Sequence, residues 1–273
     1  MTDFILMLLE SINGDLTSLS ASNALTGTMD SFSGSLYGYI TSIQTNVALP
    51  IAYVVLSLFC VLALYDAAVK SEGSGSTTMG VEIVVHLLIK LTLCIWAIDN
   101  CPTILNAIYD VSTSFTSQAS HYFSSASLSG LDIDALKDII DNLDFWSKFG
   151  AMIIMLLTWL IMKFAMLMAK IIVITRFIEL YLYFCVAPVP IAALPSPELS
   201  QIGKGFLKSF AAVCIQGTLI FLVLSFFPYI AGTVLSGSSD FLAIATGLIG
   251  YGVVLIIAVF STSKWAKSIC NAM

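Results

Sequence analysis

The stretch Arg176-Phe-Ile-Glu-Leu-Tyr-Leu-Tyr-Phe-Cys-Val-Ala-Pro-Val-Pro190 decides the fold of this chain. It contains the only arginine of the protein and the acid Glu179 within the longest apolar region, and Pro188 and Pro190 interrupt it. Proline lacks an N–H group and disfavours helical angles at the residue before it. A helix through this stretch is therefore predicted to break near Ala187.

The length of the stretch predicts its path through the membrane. From Arg176 to Ala187 there are 12 residues, or about 18 Å of helix, against a hydrocarbon core of about 30 Å. A segment this short does not cross the membrane. Residues 176–194 are therefore predicted to form a re-entrant segment, which enters the membrane and returns to the same side.

The composition indicates an integral membrane protein. Of the 273 residues, 58% are hydrophobic and 10% are charged, whereas roughly a quarter of the residues in soluble domains are charged. The mean hydropathy is +0.97. A net charge of -6 argues against stable nucleic-acid binding, which needs clustered basic side chains. The predicted fold class is an all-α, polytopic integral membrane protein.

Polar stretches divide the chain into four predicted regions. Residues 1–46 are predicted to form an extracytoplasmic amphipathic N-terminal region, and residues 47–98 to form transmembrane helices one and two. Residues 99–149 are predicted to form an extracytoplasmic helical hairpin. Residues 150–273 are predicted to form a transmembrane core that includes the re-entrant segment.

The hairpin is predicted from two amphipathic patterns. Apolar residues in its first half repeat at helical spacing, at Ile104, Ile108, Val111, Phe115, Ala119 and Tyr122. A second pattern begins at Asp132 and Asp134 and continues through Ile133, Leu136, Ile140 and Leu143. Such a hairpin is too small for a core of its own. We expect it to pack on the membrane domain, on partner subunits or on symmetry copies.

Charged residues within two predicted spans are the candidate functional residues. Glu82, His86 and Lys90 in span two are spaced i, i+4 and i+8, so they share one helix face. Lys163 and Lys170 share a face of span three, which is predicted from about residue 150 to residue 174. Charges at membrane depth face a protein interior or a water-filled cavity. These residues therefore line a conduit or form a polar seam between helices.

The remaining candidates concern helix breaks and packing. Arg176 and Glu179 either anchor the break made by Pro188 and Pro190 or form an i, i+3 ion pair that fixes the depth of the helix. The last span carries small residues that allow close helix packing, at Gly247, Gly250 and Gly252.

The basic residues predict the topology. Five spans plus the re-entrant segment, with the N-terminus outside and the C-terminus in the cytoplasm, place eight of the eleven basic residues inside, as the positive-inside rule prefers. Those residues are Lys70, Lys163, Lys170, Arg176, Lys204, Lys208, Lys264 and Lys267. The alternative of six spans would place the last four lysines outside. The five-span arrangement in the cytoplasmic (inner) membrane is therefore preferred.

This layout resembles the polytopic membrane subunits of type IV secretion and conjugation machines, the TrbL type and its VirB relatives. The most specific similarity is local: Arg176-Phe-Ile-Glu-Leu-Tyr181, followed by Ala187-Pro-Val-Pro-Ile-Ala192, is similar to the R-x-x-E-[IL]-Y and A-P-I-P segments of these subunits in conjugative elements of Gram-positive bacteria. The resemblance covers most of the chain in layout and about twenty residues in motif.

The resemblance implies a homo-oligomeric ring that contributes to a conduit through the inner membrane. Single-stranded DNA with its relaxase, or an effector protein, would cross this conduit transiently. The implied partners are other secretion-channel subunits and VirB-type ATPases.

Other classes of function remain open at the level of sequence. A secondary transporter also has broken helices and intramembrane charges, although no internal repeat is found here. A non-conducting membrane scaffold is a further alternative. An enzyme is not predicted, since motifs such as G-x-S-x-G, H-E-x-x-H and the P-loop are absent. No cofactor or metal is predicted, because the six cysteines are scattered without a C-x-x-C pair.

Overall fold

The computed structural model describes residues 27–74, 77–123, 145–196, 199–237 and 241–272, together with positions 4, 7, 8, 10, 11 and 14. The elements in these ranges are all helical. They are α1 (Met29–Phe32), α2 (Gly34–Ile43), a π-helical turn (Gln44–Ala48), α3 (Leu49–Ser74), α4 (Thr77–Asp99), α5 (Cys101–Phe123), α6 (Phe145–Val186), α7 (Pro188–Ile191), α8 (Ser200–Gly237) and α9 (Phe241–Ile269). The predicted all-α class is confirmed.

Several of these helices are long and apolar enough to cross a membrane. Four candidate spans lie at Gly34–Asp66, Lys148–Val186, Ser200–Phe227 and Ile249–Ile269. The pair Val84–Asp99 and Cys101–Tyr122 is bent by 72° and makes a fifth span if it is counted as one. The polytopic membrane class is thus confirmed, while the five-span count and the re-entrant segment stay predictions.

Helix α6 is longer than the sequence pattern suggested. It has 42 residues and a length of about 63 Å, with no interruption at residue 174, where span three was expected to end. The reason is that no glycine or proline occurs between Ala151 and Ala187. Arg176, where the re-entrant segment was predicted to begin, lies within the continuous helix.

The end of α6 lies where the two prolines predict it. The helix ends at Val186, Ala187 forms a turn, and the short helix α7 begins at Pro188. The N–H of Ile191 donates to the carbonyl of Ala187 at 3.3 Å, and the N–H of Ala192 donates to that of Pro188 at 3.1 Å. The backbone thus continues in short turns that use the carbonyls at the break as acceptors.

The chain divides into two compact units. The first comprises Met1–Gly27, Ser112–Arg176 and Ile215–Trp265. Its core includes a stripe on α6 in which buried residues recur every three or four positions, at Met155, Thr158, Met162, Ala165, Ala169 and Val173. This is the spacing by which one face of a helix packs on its neighbours.

The second unit comprises Thr28–Val111, Phe177–Cys214 and Ala266–Met273. The π-helical turn in this unit ends two residues before Pro50, whose missing N–H leaves the normal helical pattern incomplete. The N–H of Leu49 donates instead to the carbonyl of Gln44, and the buried side chain of Gln44 donates from Nε2 to Sγ of Cys101 at 3.6 Å.

The predicted hairpin is described only in part. Its first helix is α5, as the apolar spacing indicated. The second predicted helix, at residues 132–143, lies outside the described residues. Residues 1–3, 5, 6, 9, 12, 13 and 15–26 of the predicted N-terminal region also lie outside them.

Candidate functional site

The charged residues of α4 lie on the outer surface of the second unit. Nε2 of His86 is 4.0 Å from Oε1 of Glu82, and the two side chains are 69% and 73% exposed. Lys90, one turn further along α4, is exposed as well. The buried side of the helix, at Leu87, Cys94 and Ile98, lies beside the charged face. The described residues therefore do not cover the charged face.

Apolar side chains surround this charged face on α4. They are exposed at Val84, Val85, Leu88, Ile89, Leu93, Ile95 and Trp96. An exposed apolar surface of this extent on a candidate membrane helix is suited to contact lipid, whereas Lys90 is not.

The two lysines of α6 have different surroundings. Nζ of Lys163 lies 5.6 Å from the ring centroid of Trp159, a cation–π distance, and the side chain is half-buried. Lys170 is exposed. Both belong to the first unit, and α4 belongs to the second.

Arg176 is one of the largest fully buried side chains among the described residues. Its guanidinium lies directly against Gly217 of α8, where a Cβ atom would overlap Nη1, Cζ and Nη2. Gly217 is therefore the residue that makes space for the buried charge. Glu179 is half-buried, and its predicted ion pair with Arg176 stays a prediction.

A cluster of buried hydroxyl groups lies beside Gly217 in the first unit. Oγ1 of Thr218 is 3.0 Å from Oγ of Ser112 and 2.8 Å from Oγ1 of Thr116. It also donates to the carbonyl of Ser112 at 3.2 Å. Consecutive positions of α8 thus accommodate a buried cation and a hydrogen-bonded hydroxyl cluster. Hydrogen bonding of this kind is what makes buried polar groups tolerable.

The residues after Arg176 contact helix α1. The ring of Phe177 stacks on that of Phe32, with centroids 4.1 Å apart and planes 6° from parallel. The hydroxyl of Tyr181 donates to the carbonyl of Met29 at 2.8 Å. Phe177 and Tyr181, both in the stretch 176–190, therefore hold α1 against α6.

The proline break is buried in the core of the second unit. Ala187, Pro188 and Ile191 are buried, and Pro190 is half-buried. The thiol of Cys94 on α4 donates to the carbonyl of Ile191 at 3.4 Å. Helix α7 contacts α3, α4 and the π-helical turn. The break is thus enclosed by the chain itself.

Gly203 of α8 allows the chain to turn closely after the break. A Cβ atom at this position would lie 2.7 Å from Cδ2 of Leu194 and 2.8 Å from the carbonyl oxygen of Pro190. Gly203 and Gly217 were not among the residues predicted from the sequence. A signal was present, because a glycine within a helix costs about 0.5–1 kcal/mol relative to alanine and often indicates a close contact.

The predicted packing glycines of α9 differ from one another. A Cβ atom at Gly252 would lie 3.0 Å from Sδ of Met162 and 3.1 Å from Cγ2 of Ile161, both on α6. Gly250 faces open space, and Gly247 is half-buried.

A comparison with known families identifies the family of the chain. Residues 12–188 match the family described as TrbL/VirB6 plasmid conjugal transfer like protein, and this match covers more than half of the 273 residues. The chain belongs to the TrbL/VirB6 family. Searches of curated proteins and of solved structures found no match. The resemblance stated from the sequence is therefore confirmed.

Membership of the TrbL/VirB6 family makes the chain a subunit of a conjugal transfer or type IV secretion apparatus that works with other subunits. The family is one of structural channel subunits and not a known enzyme family. The matched region contains the charged face of α4, both lysines of α6, Arg176 and Pro188. Helices α8 and α9 follow it.

The TrbL/VirB6 chain has no disulfide among its cysteines and no described group of metal ligands. All six cysteines lie at described positions and none of them forms a disulfide. Within the part of the chain that the structure describes, no three His, Cys, Asp or Glu side chains form a group suited to a metal ion. Burial raises the pKa of the Cys270 thiol above its usual range. This cysteine, just after α9, therefore stays protonated at neutral pH.

Proposed function

We propose that this protein forms part of the conduit through which a type IV secretion apparatus moves a DNA–protein or protein substrate across the cytoplasmic membrane. Copies of the chain assemble into a ring, with neighbouring channel subunits and VirB-type ATPases as partners. The observation that carries this proposal is the exposed charged face of α4, formed by Glu82, His86 and Lys90 on an otherwise apolar helix.

The depth of Lys90 supports an aqueous or protein environment. It lies nine residues before Asp99, or about 14 Å along the helix axis, against about 30 Å for the hydrocarbon core. A lysine at the centre of a membrane helix costs about 2.5–3.5 kcal/mol when it faces lipid. A ring of copies removes this cost, because the charged face then meets a water-filled path or a neighbouring copy.

The charge of this face of α4 suits the transient passage of a nucleic acid better than its retention. It contains one acid, one lysine and a histidine, so it presents no cluster of cations that would hold phosphate groups. The net charge of -6 for the whole chain has the same effect. A passing polyanion would experience little net attraction.

The distribution of basic residues supports an N-terminus outside and a C-terminus in the cytoplasm. Lys204 and Lys208 are exposed at the beginning of α8, and Lys264 and Lys267 are exposed at the end of α9. Exposed lysines at helix ends are typical of the cytoplasmic side.

Thiol accessibility tests the conduit. Lys90→Cys and the matched control Leu88→Cys lie two residues apart on α4, and both original side chains are exposed. A charged, membrane-impermeant methanethiosulfonate reagent is expected to modify Lys90→Cys at least tenfold faster than Leu88→Cys, and this modification is expected to block transfer in a mating assay. The unsubstituted chain measures the background from the native cysteines.

The alternatives give different results. Equal, slow modification at both positions contradicts a water-lined face. If the protein forms an oligomer but modification of Lys90→Cys leaves transfer in the mating assay unchanged, the result favours a non-conducting scaffold. A purified monomer that binds a small molecule tightly favours the secondary transporter.

A further inference from the structure

Helix α5 has a buried side that differs from the apolar stripe of its sequence. The buried residues are Cys101, Leu105, Tyr109, Ser112 and Thr116. The stripe that was expected to pack on protein is turned away from this side, and its residues Val111, Phe115 and Tyr122 are 73%, 59% and 84% exposed. Ile104 and Ile108 of the same stripe are half-buried. The described residues therefore leave an apolar flank of α5 exposed.

The rest of the exposed surface of α5 is polar. Asp110, Ser114 and His121 are exposed, and they lie on the flank away from Val111 and Phe115. Around its axis the helix thus presents a buried side, an apolar flank and a polar flank. A helix with separate apolar and polar flanks is suited to a boundary between lipid and water.

The direction of α5 agrees with such a boundary. The helix is bent by 72° from α4. The polar residues Asp99 and Asn100 lie at the bend, and the hydroxyl of Tyr53 donates to the carboxylate of Asp99. Trp96, one turn before the bend, is 60% exposed, and tryptophan is enriched where a membrane meets water. The end of α4 therefore has the residues expected at an interface.

We propose that α5 lies in the plane of the membrane interface and inserts its apolar flank, formed by Ile104, Ile108, Val111, Phe115 and Tyr122, between the headgroups and acyl chains of the lipids. The partner of this surface is the lipid itself. The flank contains no charged side chain, and it continues the exposed apolar surface of α4, which faces lipid if α4 spans the membrane. The proposed contact with lipid does not depend on whether a ring of copies forms a conduit.

The geometry gives the expected depths. Val111 and Tyr122 are separated by 11 positions, or about 16 Å along the axis. If α4 runs along the membrane normal, a bend of 72° leaves a depth difference of about 5 Å between these residues. If α5 instead continued a span, the difference would approach the full length of about 16 Å.

Depth-dependent quenching measures this difference. The full chain is reconstituted in vesicles of phosphatidylcholine and phosphatidylglycerol, with a fluorescent amino acid at position 111, 115 or 122 by amber suppression. Nitroxides near the headgroup are expected to quench all three positions more strongly than nitroxides near the end of the acyl chain. The matched control is position 114, next to Phe115 but on the polar flank, where aqueous iodide is expected to quench best.

Two quenching results overturn the proposal. In the first, deep nitroxides quench position 111 or 122 best, which indicates a spanning helix. In the second, position 115 is as accessible to iodide as position 114, which indicates a flank in water.

Photocrosslinking identifies what covers the flank. Benzoylphenylalanine replaces Phe115 with another aromatic residue, so the fold has little reason to change. The expected product has the mass of the chain plus one phospholipid. A covalent dimer, or an adduct to residues 124–144 of the same chain, shows instead that protein covers this flank and overturns the proposal.

Discussion

At the scale of single residues, Gly217 and Arg176 depend on each other. The guanidinium occupies the space that a side chain at position 217 would need. The hydroxyl cluster around Thr218 is on the adjacent position of α8. A glycine that would otherwise weaken a membrane helix therefore has a specific role in accommodating a buried charge.

The substitution Gly217→Ala tests this role. A methyl group here displaces the buried guanidinium, and overpacking of this kind costs about 1–3 kcal/mol. We expect a lower apparent melting temperature for the detergent-solubilised protein, measured by intrinsic fluorescence. The control is Gly250→Ala, where the new Cβ meets open space and alanine favours the helix by about 0.5–1 kcal/mol. Equal melting temperatures for the two variants would contradict the assigned role.

The sequence could indicate that each member of this pair has a special role, but not that the two residues are in contact. An arginine in an apolar stretch is conspicuous, and its burial follows from the cost of exposing it to lipid. Its neighbour Gly217 is separated from it by 41 positions, and no local spacing connects them. Tertiary contacts of this kind are determined by how whole helices pack.

At the scale of elements, the beginning of α8 packs closely against the backbone of the proline break that follows α6. Gly203 lies against Leu194 and the carbonyl oxygen of Pro190, so α8 can start close to the turns that follow α7. The backbone oxygen cannot move as a flexible side chain can. A side chain at position 203 is therefore harder to accommodate than one that meets only flexible side chains.

The pair Gly203→Ala and Gly205→Ala tests the close approach. Both lie in the same helix, but a Cβ at Gly205 has no heavy atom within 4 Å. We expect Gly203→Ala to lose about 1–3 kcal/mol of stability, and Gly205→Ala to lose none. Thermal unfolding and the rate of limited proteolysis after the break measure the effect. The interpretation would be wrong if Gly205→Ala were the less stable variant.

Sequence predicted the existence of elements better than their extent or orientation. The end of α6 followed from Pro188 and Pro190, because the missing N–H groups act locally. The continuation of α6 past residue 174 was missed, although no glycine or proline interrupts the chain between Ala151 and Ala187. The spacing predicted α5, but its buried side includes Ser112 and Thr116, whose burial depends on partners on α8.

At the scale of the whole molecule, charge determines the predicted orientation. Ten lysines and one arginine are distributed unevenly along the chain, and the first of them is Lys70. The five-span arrangement collects most of them on one side. It requires the segment around the proline break to return to the side from which it came.

Fusion reporters test this orientation. Green fluorescent protein fused after Met273 is expected to be fluorescent, because it folds in the cytoplasm, and alkaline phosphatase at the same place is expected to be inactive. A second pair of fusions after Gly237 is expected to give the opposite result. Active phosphatase after Met273 would refute the five-span arrangement and favour six spans.

The contact between Arg176 and Gly217 also has a consequence in time. Ribosomes add about 5–20 residues per second, so the 41 positions between them take about 2–8 s to synthesise. During this interval the part of α8 that later lies against the arginine does not yet exist. A change at Gly217 that keeps the guanidinium from its place should lower the amount of protein in the membrane as well as its stability, because incompletely folded chains are degraded in cells.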